Sequence, residues 1–170
     1  AIFDGLRPRQ VELIKAIGEA QQVKDDFLHK KYAEKKLWDF GEEIIKAFGY
    51  DFNRGRQDKA AHPFETTFSV NDVRITTRFE AGNPLAMIFS TMHEAGHGMY
   101  EQGVNPAFER TALESGASLA VHESQSRMWE NLVGRSLPLW EHFFPKLKKT
   151  FPAQLDGVGL RAFYKGVNKV

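Results

Sequence analysis

The stretch S-T-M-H-E-A-G-H-G-M-Y-E-Q-G, residues 90–103, sets His93 and His97 four positions apart with Glu94 beside the first. On a helix, residues i and i+4 share one face, about 6 Å apart along the axis at about 1.5 Å rise per residue. Both imidazoles can then reach one metal ion, and Glu94 projects beside them, off the ligand line but near the water that the metal would hold. Zinc lowers the pKa of such a water to about 7, and a neighbouring carboxylate takes its proton as the water attacks an amide. The competing reading is a tightly packed helix that happens to carry two histidines. Ala95, Gly96 and Gly98 sit among them. Glycine inside a helix costs roughly 0.5–1 kcal/mol relative to Ala, so two of them require the close approach of another element or of a substrate.

A catalytic zinc takes three protein ligands and leaves a fourth position open. The stretch A-L-E-S-G-A-S-L-A-V-H-E-S-Q offers Glu114, His122 and Glu123 on the next helical run. Spacing alone does not choose among them, although Glu123 suits a helix–connector–helix return to the same ion. Further back, His62 and Asp72 are candidates to support the site. Asp72 could accept the second N–H of a ligating histidine, or simply make a turn. His62 could donate to a developing oxyanion, or cap a loop ahead of Pro63. Arg74 could pair with a catalytic or substrate carboxylate, or stand in solvent beside Arg78. Arg127 reads as a structural partner of Glu123 or Glu130. Tyr100 and Tyr164 are phenols with no sequence signal that either reaches the metal.

The elements that must position these residues are mostly helices. Pro8 can open a first helix that carries Leu13, Ile14 and Ile17 on one face. A longer one is expected from Lys24, with Leu37, Phe40, Gly41, Ile44, Ile45 and Phe48 close to a 3.6-residue period and Gly49 as its cap. T-T-F-S-V and V-R-I-T-T-R-F read as the arms of a β-hairpin turning at Asn71-Asp72. Helices are then expected over 85–100, which bears the histidine pair, and over 112–132, with Leu113, Leu119 and Trp129 among its apolar residues. Two shorter ones should follow near 138–149 and 153–168. The fold class is mainly α with one small β element.

Composition narrows the alternatives. The chain has 170 residues, enough to bury a core, with 42% hydrophobic and 26% charged residues. A formal net charge of +1 gives no reason to expect nucleic acid or an acidic membrane surface as partner. Cysteine is absent, which excludes disulfides, thiolate zinc ligands and a thiol nucleophile. No apolar run approaches the ~20 residues of a membrane span, and the start carries no secretory signal.

Four motifs stand in order along the chain: H-P-F at 62–64, D-x-R-x-T at 72–76, H-E-x-x-H at 93–97 and H-E-S-Q at 122–125. Together they resemble the carboxypeptidase Taq family of metallocarboxypeptidases, over nearly all of the chain. The resemblance implies a helical zincin-type core with His93, His97 and Glu123 as metal ligands, Glu94 as general base, and zinc, cobalt or another divalent metal as cofactor. It implies release of single residues from peptide C-termini by a cytoplasmic enzyme that is a homodimer at full length. Family members are much longer, so residues 1–170 are expected to be the central catalytic segment, with N- and C-terminal parts lying outside it. A fifth motif, whose arginine would hold the substrate carboxylate, would follow Val170. The segment alone is therefore expected to bind divalent metal but to be a poor carboxypeptidase. The alternatives are a related oligopeptidase that cuts inside short peptides, and a metal-binding segment without turnover.

Overall fold

The computed structural model describes residues 2–169, which form six α-helices and a three-stranded sheet. The first helix, α1 (Ile2–Glu19), starts ahead of the position expected from Pro8, which lies inside it. None of its residues is buried, and Ile2, Phe3, Leu13 and Ile14 face outward. The long helix expected from Lys24 is interrupted. Asp26–His29 forms one tight turn, Lys30 is extended, and α2 (Glu34–Phe48) begins later. The break lets Phe27 and Tyr32 both enter the core, with the Tyr32 hydroxyl donating to Phe27 O at 2.9 Å. The amphipathic face of α2 is as expected: Leu37, Phe40, Ile44 and Ile45 are buried, and Gly49 closes the helix at φ 114°, where a side chain would be strained.

The sheet has one strand more than the hairpin. β1 (Gly55–Lys59) runs parallel to β3 (Asp72–Thr77), and β2 (Glu65–Ser69) runs antiparallel to it, giving the order β1-β3-β2. The hairpin turns at Val70-Asn71, because Asp72 already pairs with Ser69. β3 is central, so Val73, Ile75 and Thr77 are fully buried. Thr76 is buried too, and it ties down the H-P-F segment. Its hydroxyl accepts from Phe64 N at 2.9 Å, and its amide donates to Phe64 O at 2.8 Å.

The histidine-bearing helix, α3 (Ala86–Gln102), packs against α2, β2, β3 and the following helix α4 (Leu119–Arg127). The helix expected to start at Ala112 begins only after Ser118, whose hydroxyl caps it by accepting from Val121 N at 3.2 Å. Leu113 and Leu119 are exposed rather than in the core. Beyond α4 the helix widens over Met128–Val133 into a π-turn, closed by Gly134 N donating to Trp129 O at 2.7 Å. α5 (Leu137–Thr150) follows, and α6 (Leu160–Val167) starts after Gly157 and Gly159 rather than at residue 153. Trp140, Phe163, Leu147 and Met92 join these helices to α2 and α3 in one core. No described helix is long and apolar enough to cross a membrane.

The two helix glycines have the packing role that their cost demanded. A Cβ on Gly98 would meet the Tyr50 ring at 2.8 Å, and one on Gly96 would meet Ser126 Cα at 2.7 Å. The second contact is with backbone, so α4 would have to move. On an open helix surface Gly→Ala stabilises by about 0.4–1 kcal/mol. Gly96→Ala is expected instead to destabilise by about 1–3 kcal/mol, the range for overpacking, and urea unfolding reads the sign directly.

Candidate metal centre

α3 carries His93 and His97 on one face, and α4 crosses it at Gly96, which brings Glu123 over the pair. His93 Nε2 and His97 Nε2 are 3.2 Å apart. Glu123 Oε2 lies 3.5 Å from the first and 3.3 Å from the second. Four tetrahedral donors at zinc distances of about 2.0–2.1 Å from one centre stand about 3.3 Å from each other. The three separations match that figure, and all three ligand atoms lie within 4.8 Å of one another. Three acceptor atoms this close repel unless a proton or a cation lies between them, so the donor set fits a borderline divalent metal.

The other sequence candidates for the third ligand point elsewhere. His122 touches His97 on the opposite ring edge, Nδ1 to Nδ1 at 2.5 Å. Glu114 takes the backbone N–H of Arg110.

The carboxylate beside His93 is Glu130, whose Oε2 lies 3.0 Å from His93 Nδ1. Asp72, the sequence candidate for that role, is held by Arg74 through two bonds of 2.7 Å on the solvent side of the central strand β3. The two side chains neutralise each other there, and neither lines the cleft above the histidines. Glu130 is fixed in turn by Arg127, which donates to it at 3.0 Å and to Glu123 at 2.9 Å. The hydrogen bond to Glu130 raises the His93 pKa. Burial lowers His97 to about 4 and favours the neutral imidazole that ligation needs. Burial also raises the Glu123 carboxyl, but the Arg127 hydrogen bond and the histidine charges outweigh it and hold the group below its usual range.

Two adjoining hollows of about 440 and 360 Å3 lie over the pair and share His62, Pro63, His93 and Glu94. Glu94 is 7% exposed and makes no hydrogen bond to the described residues. Burial raises its carboxyl to about 7, against the lowering effect of His93. His62 is exposed at the cleft wall, held there by the Thr76 clamp on Phe64, two residues on.

Comparison with known proteins gives this arrangement a family. The model of the carboxypeptidase Taq (M32) metallopeptidases matches residues 1–170. The chain belongs to that family. It is 45% identical over 158 residues to thermostable carboxypeptidase 1 of Thermus thermophilus, covering 93% of this chain and 31% of that protein. It is 34% identical over 169 residues to carboxypeptidase 1 of Bacillus subtilis, covering 99% of this chain and 34% of that one. The crystal structure of an M32 carboxypeptidase from Deinococcus radiodurans superposes with a TM-score of 0.95 at 49% identity, over 99% of this chain and 34% of the other. The chain thus spans about a third of the length of the family members it matches.

Sequence reasoning named Glu130 only as a partner of Arg127 and gave no role to Glu101 or to the Thr76 side chain. Glu130 stands two turns after Glu123, on the same face, and Glu101 stands one turn after His97 on the histidine face. Both spacings were visible signals. Thr76 was quoted only as part of a motif, and its clamp on the H-P-F segment had no local signature.

Proposed function

We propose that this chain carries the catalytic centre of a zinc-dependent metallocarboxypeptidase that releases single residues from peptide C-termini. The observation that carries the reading is the convergence of His93 Nε2, His97 Nε2 and Glu123 Oε2 beneath a cleft that Glu94 also lines. Zinc, or cobalt or another divalent metal in its place, would supply Lewis acidity there and lower the pKa of a coordinated water to about 7.

The protein groups do the rest. The Glu94 carboxylate takes the proton of the attacking water and returns it to the departing amine. It has no hydrogen bond to the described residues to break first, and the charge of a bound cation favours its ionised form. Glu123 stays anionic because Arg127 holds it so, and Glu130 orients His93 from behind. His62, on the cleft wall, donates to the carbonyl oxygen as it gains charge. Arg74 is occupied by Asp72, so the substrate carboxylate is left to another cation.

The test has two parts: metal content, and a peptide ladder followed by mass spectrometry on the full-length protein that contains this segment. One equivalent of zinc and stepwise shortening from the C-terminus are expected, both abolished by chelation. Internal fragments without C-terminal shortening would favour the oligopeptidase alternative. Ladder activity with no bound metal would overturn the metal reading.

A further inference from the structure

His122 has no part in the chemistry above, yet it sits against the back of a ligand. Its Nδ1 is 2.5 Å from His97 Nδ1, and its Nε2 is 2.8 Å from Glu101 Oε1. Glu101 is 4% exposed. Its Oε1 also accepts the Gly116 N–H at 3.2 Å, and its Oε2 is buried with no partner among the described residues. A carboxylate only accepts, so the His122 Nε2 carries a proton. A neutral imidazole has one N–H, which leaves His122 Nδ1 as an acceptor. The proton in the short contact therefore belongs to His97 Nδ1. His97 Nε2, the atom that faces His93 Nε2 and Glu123 Oε2, is left bare.

We propose that Glu101, His122 and His97 form a hydrogen-bonded relay that fixes the tautomer and ring orientation of His97 for metal binding. The proposal rests on the metal reading above. The two histidine ligands are then anchored differently: His93 meets a carboxylate directly, whereas His97 meets one through a second imidazole. The intermediate ring is itself held on both sides. The Tyr100 ring stands edge-on to it, with centroids 4.9 Å apart and planes at 81°. A Cβ on Gly116 would come within 2.3 Å of Tyr100 Cε1 and 3.1 Å of His122 Cδ2, so the connector closes over the pair only as glycine. Because Glu101 is on α3 and His122 on α4, the relay also joins the two helices that supply the ligands.

Zinc affinity of the full chain, measured by competition with a chromophoric chelator, tests the relay without any turnover. His122→Ala is expected to weaken binding about 10–100-fold, the range for partners that orient a ligating histidine. In His122→Asn the side-chain oxygen can accept in place of Nδ1, so affinity should return to within about threefold of the parent. Glu101→Gln keeps an acceptor but loses the charge, and should fall between the two. Parent-like affinity in His122→Ala overturns the proposal. So does a His122→Asn variant that binds as weakly as His122→Ala, since His122 would then act as a ligand or as packing. If His122→Ala does not fold, the Asn variant carries the test: near-parent affinity supports the relay, and a loss beyond about tenfold overturns it. Failure of the parent chain to take up one equivalent of zinc would sink the metal reading itself. A parent that binds zinc, with indifferent His122 and Glu101 variants, would remove the relay alone.

Discussion

Glu94→Gln is expected to cut peptide turnover about 10²–10⁴-fold, the usual contribution of a positioned general base, while one equivalent of zinc stays bound. The amide matches the carboxylate in shape, and the proposed ligand atoms belong to His93, His97 and Glu123, so neither packing nor metal affinity has cause to change. What disappears is a site for the water's proton. Glu94 makes no hydrogen bond to the described residues, so the substitution breaks no structural contact that could account for a loss. Turnover at saturating peptide, set beside zinc content from metal analysis, separates the outcomes. Full activity with full metal would remove Glu94 from the mechanism. Lost activity with lost metal would make it a ligand.

Trp140→Ala is expected to lower stability by about 3–5 kcal/mol, as large aromatic truncations in a packed core do. The side chain is fully buried, with its ring 4.6 Å from Phe163 of α6 and 6.1 Å from Phe89 of α3, both edge-on. Its Nε1 donates to Gly134 O at 2.8 Å, at the end of the π-turn that carries Glu130. One residue therefore couples three helices to the back of the candidate metal centre. Domains of this kind are stable by roughly 5–15 kcal/mol, so the loss is a large share of the whole. Trp140→Phe keeps most of the ring and forfeits the hydrogen bond, worth about 0.5–1.5 kcal/mol. Urea titration at unchanged slope measures both. A loss under about 1 kcal/mol for the Ala variant would mean that the core is not centred on this ring.

The parts of the fold that were legible are those in which one period runs uninterrupted. The apolar face of α2, its Gly49 cap and the histidine helix α3 follow from spacing alone. β1 was missed because G-R-Q-D-K has neither alternation nor β-branched residues. It is a strand because β3 offers it a partner, with Arg56 and Asp58 paired along its exposed side. The start of α4 was placed too early for a similar reason. S-G-A-S reads weakly, and the segment before Ser118 is organised by Gly116 packing on Tyr100 and His122, a tertiary contact. In the site, the histidine pair was written into the spacing, whereas the choice of Glu123 over His122 was not. Both lie next to each other on α4, and only the crossing at Gly96 decides which one faces the pair. Asp72 was a fair candidate by type, but a nearby arginine on its own strand captured it.

The H-P-F segment enters the cleft from between β1 and β2, tethered by Thr76, whereas every group that contacts the histidine nitrogens belongs to α3, α4 or the π-turn. Two separate pieces of chain therefore line one cleft, His62 and Pro63 from the loop and the histidine pair from α3. Changes at residues 60, 61, 63 and 64 can reshape the cleft wall without touching a proposed ligand atom, whereas His62 belongs to the proposed chemistry, and a change on α3 or α4 can abolish ligation while leaving the wall as it was. Under the proposed function, the shape of the wall and the binding of metal can therefore vary separately, with His62 tied to both.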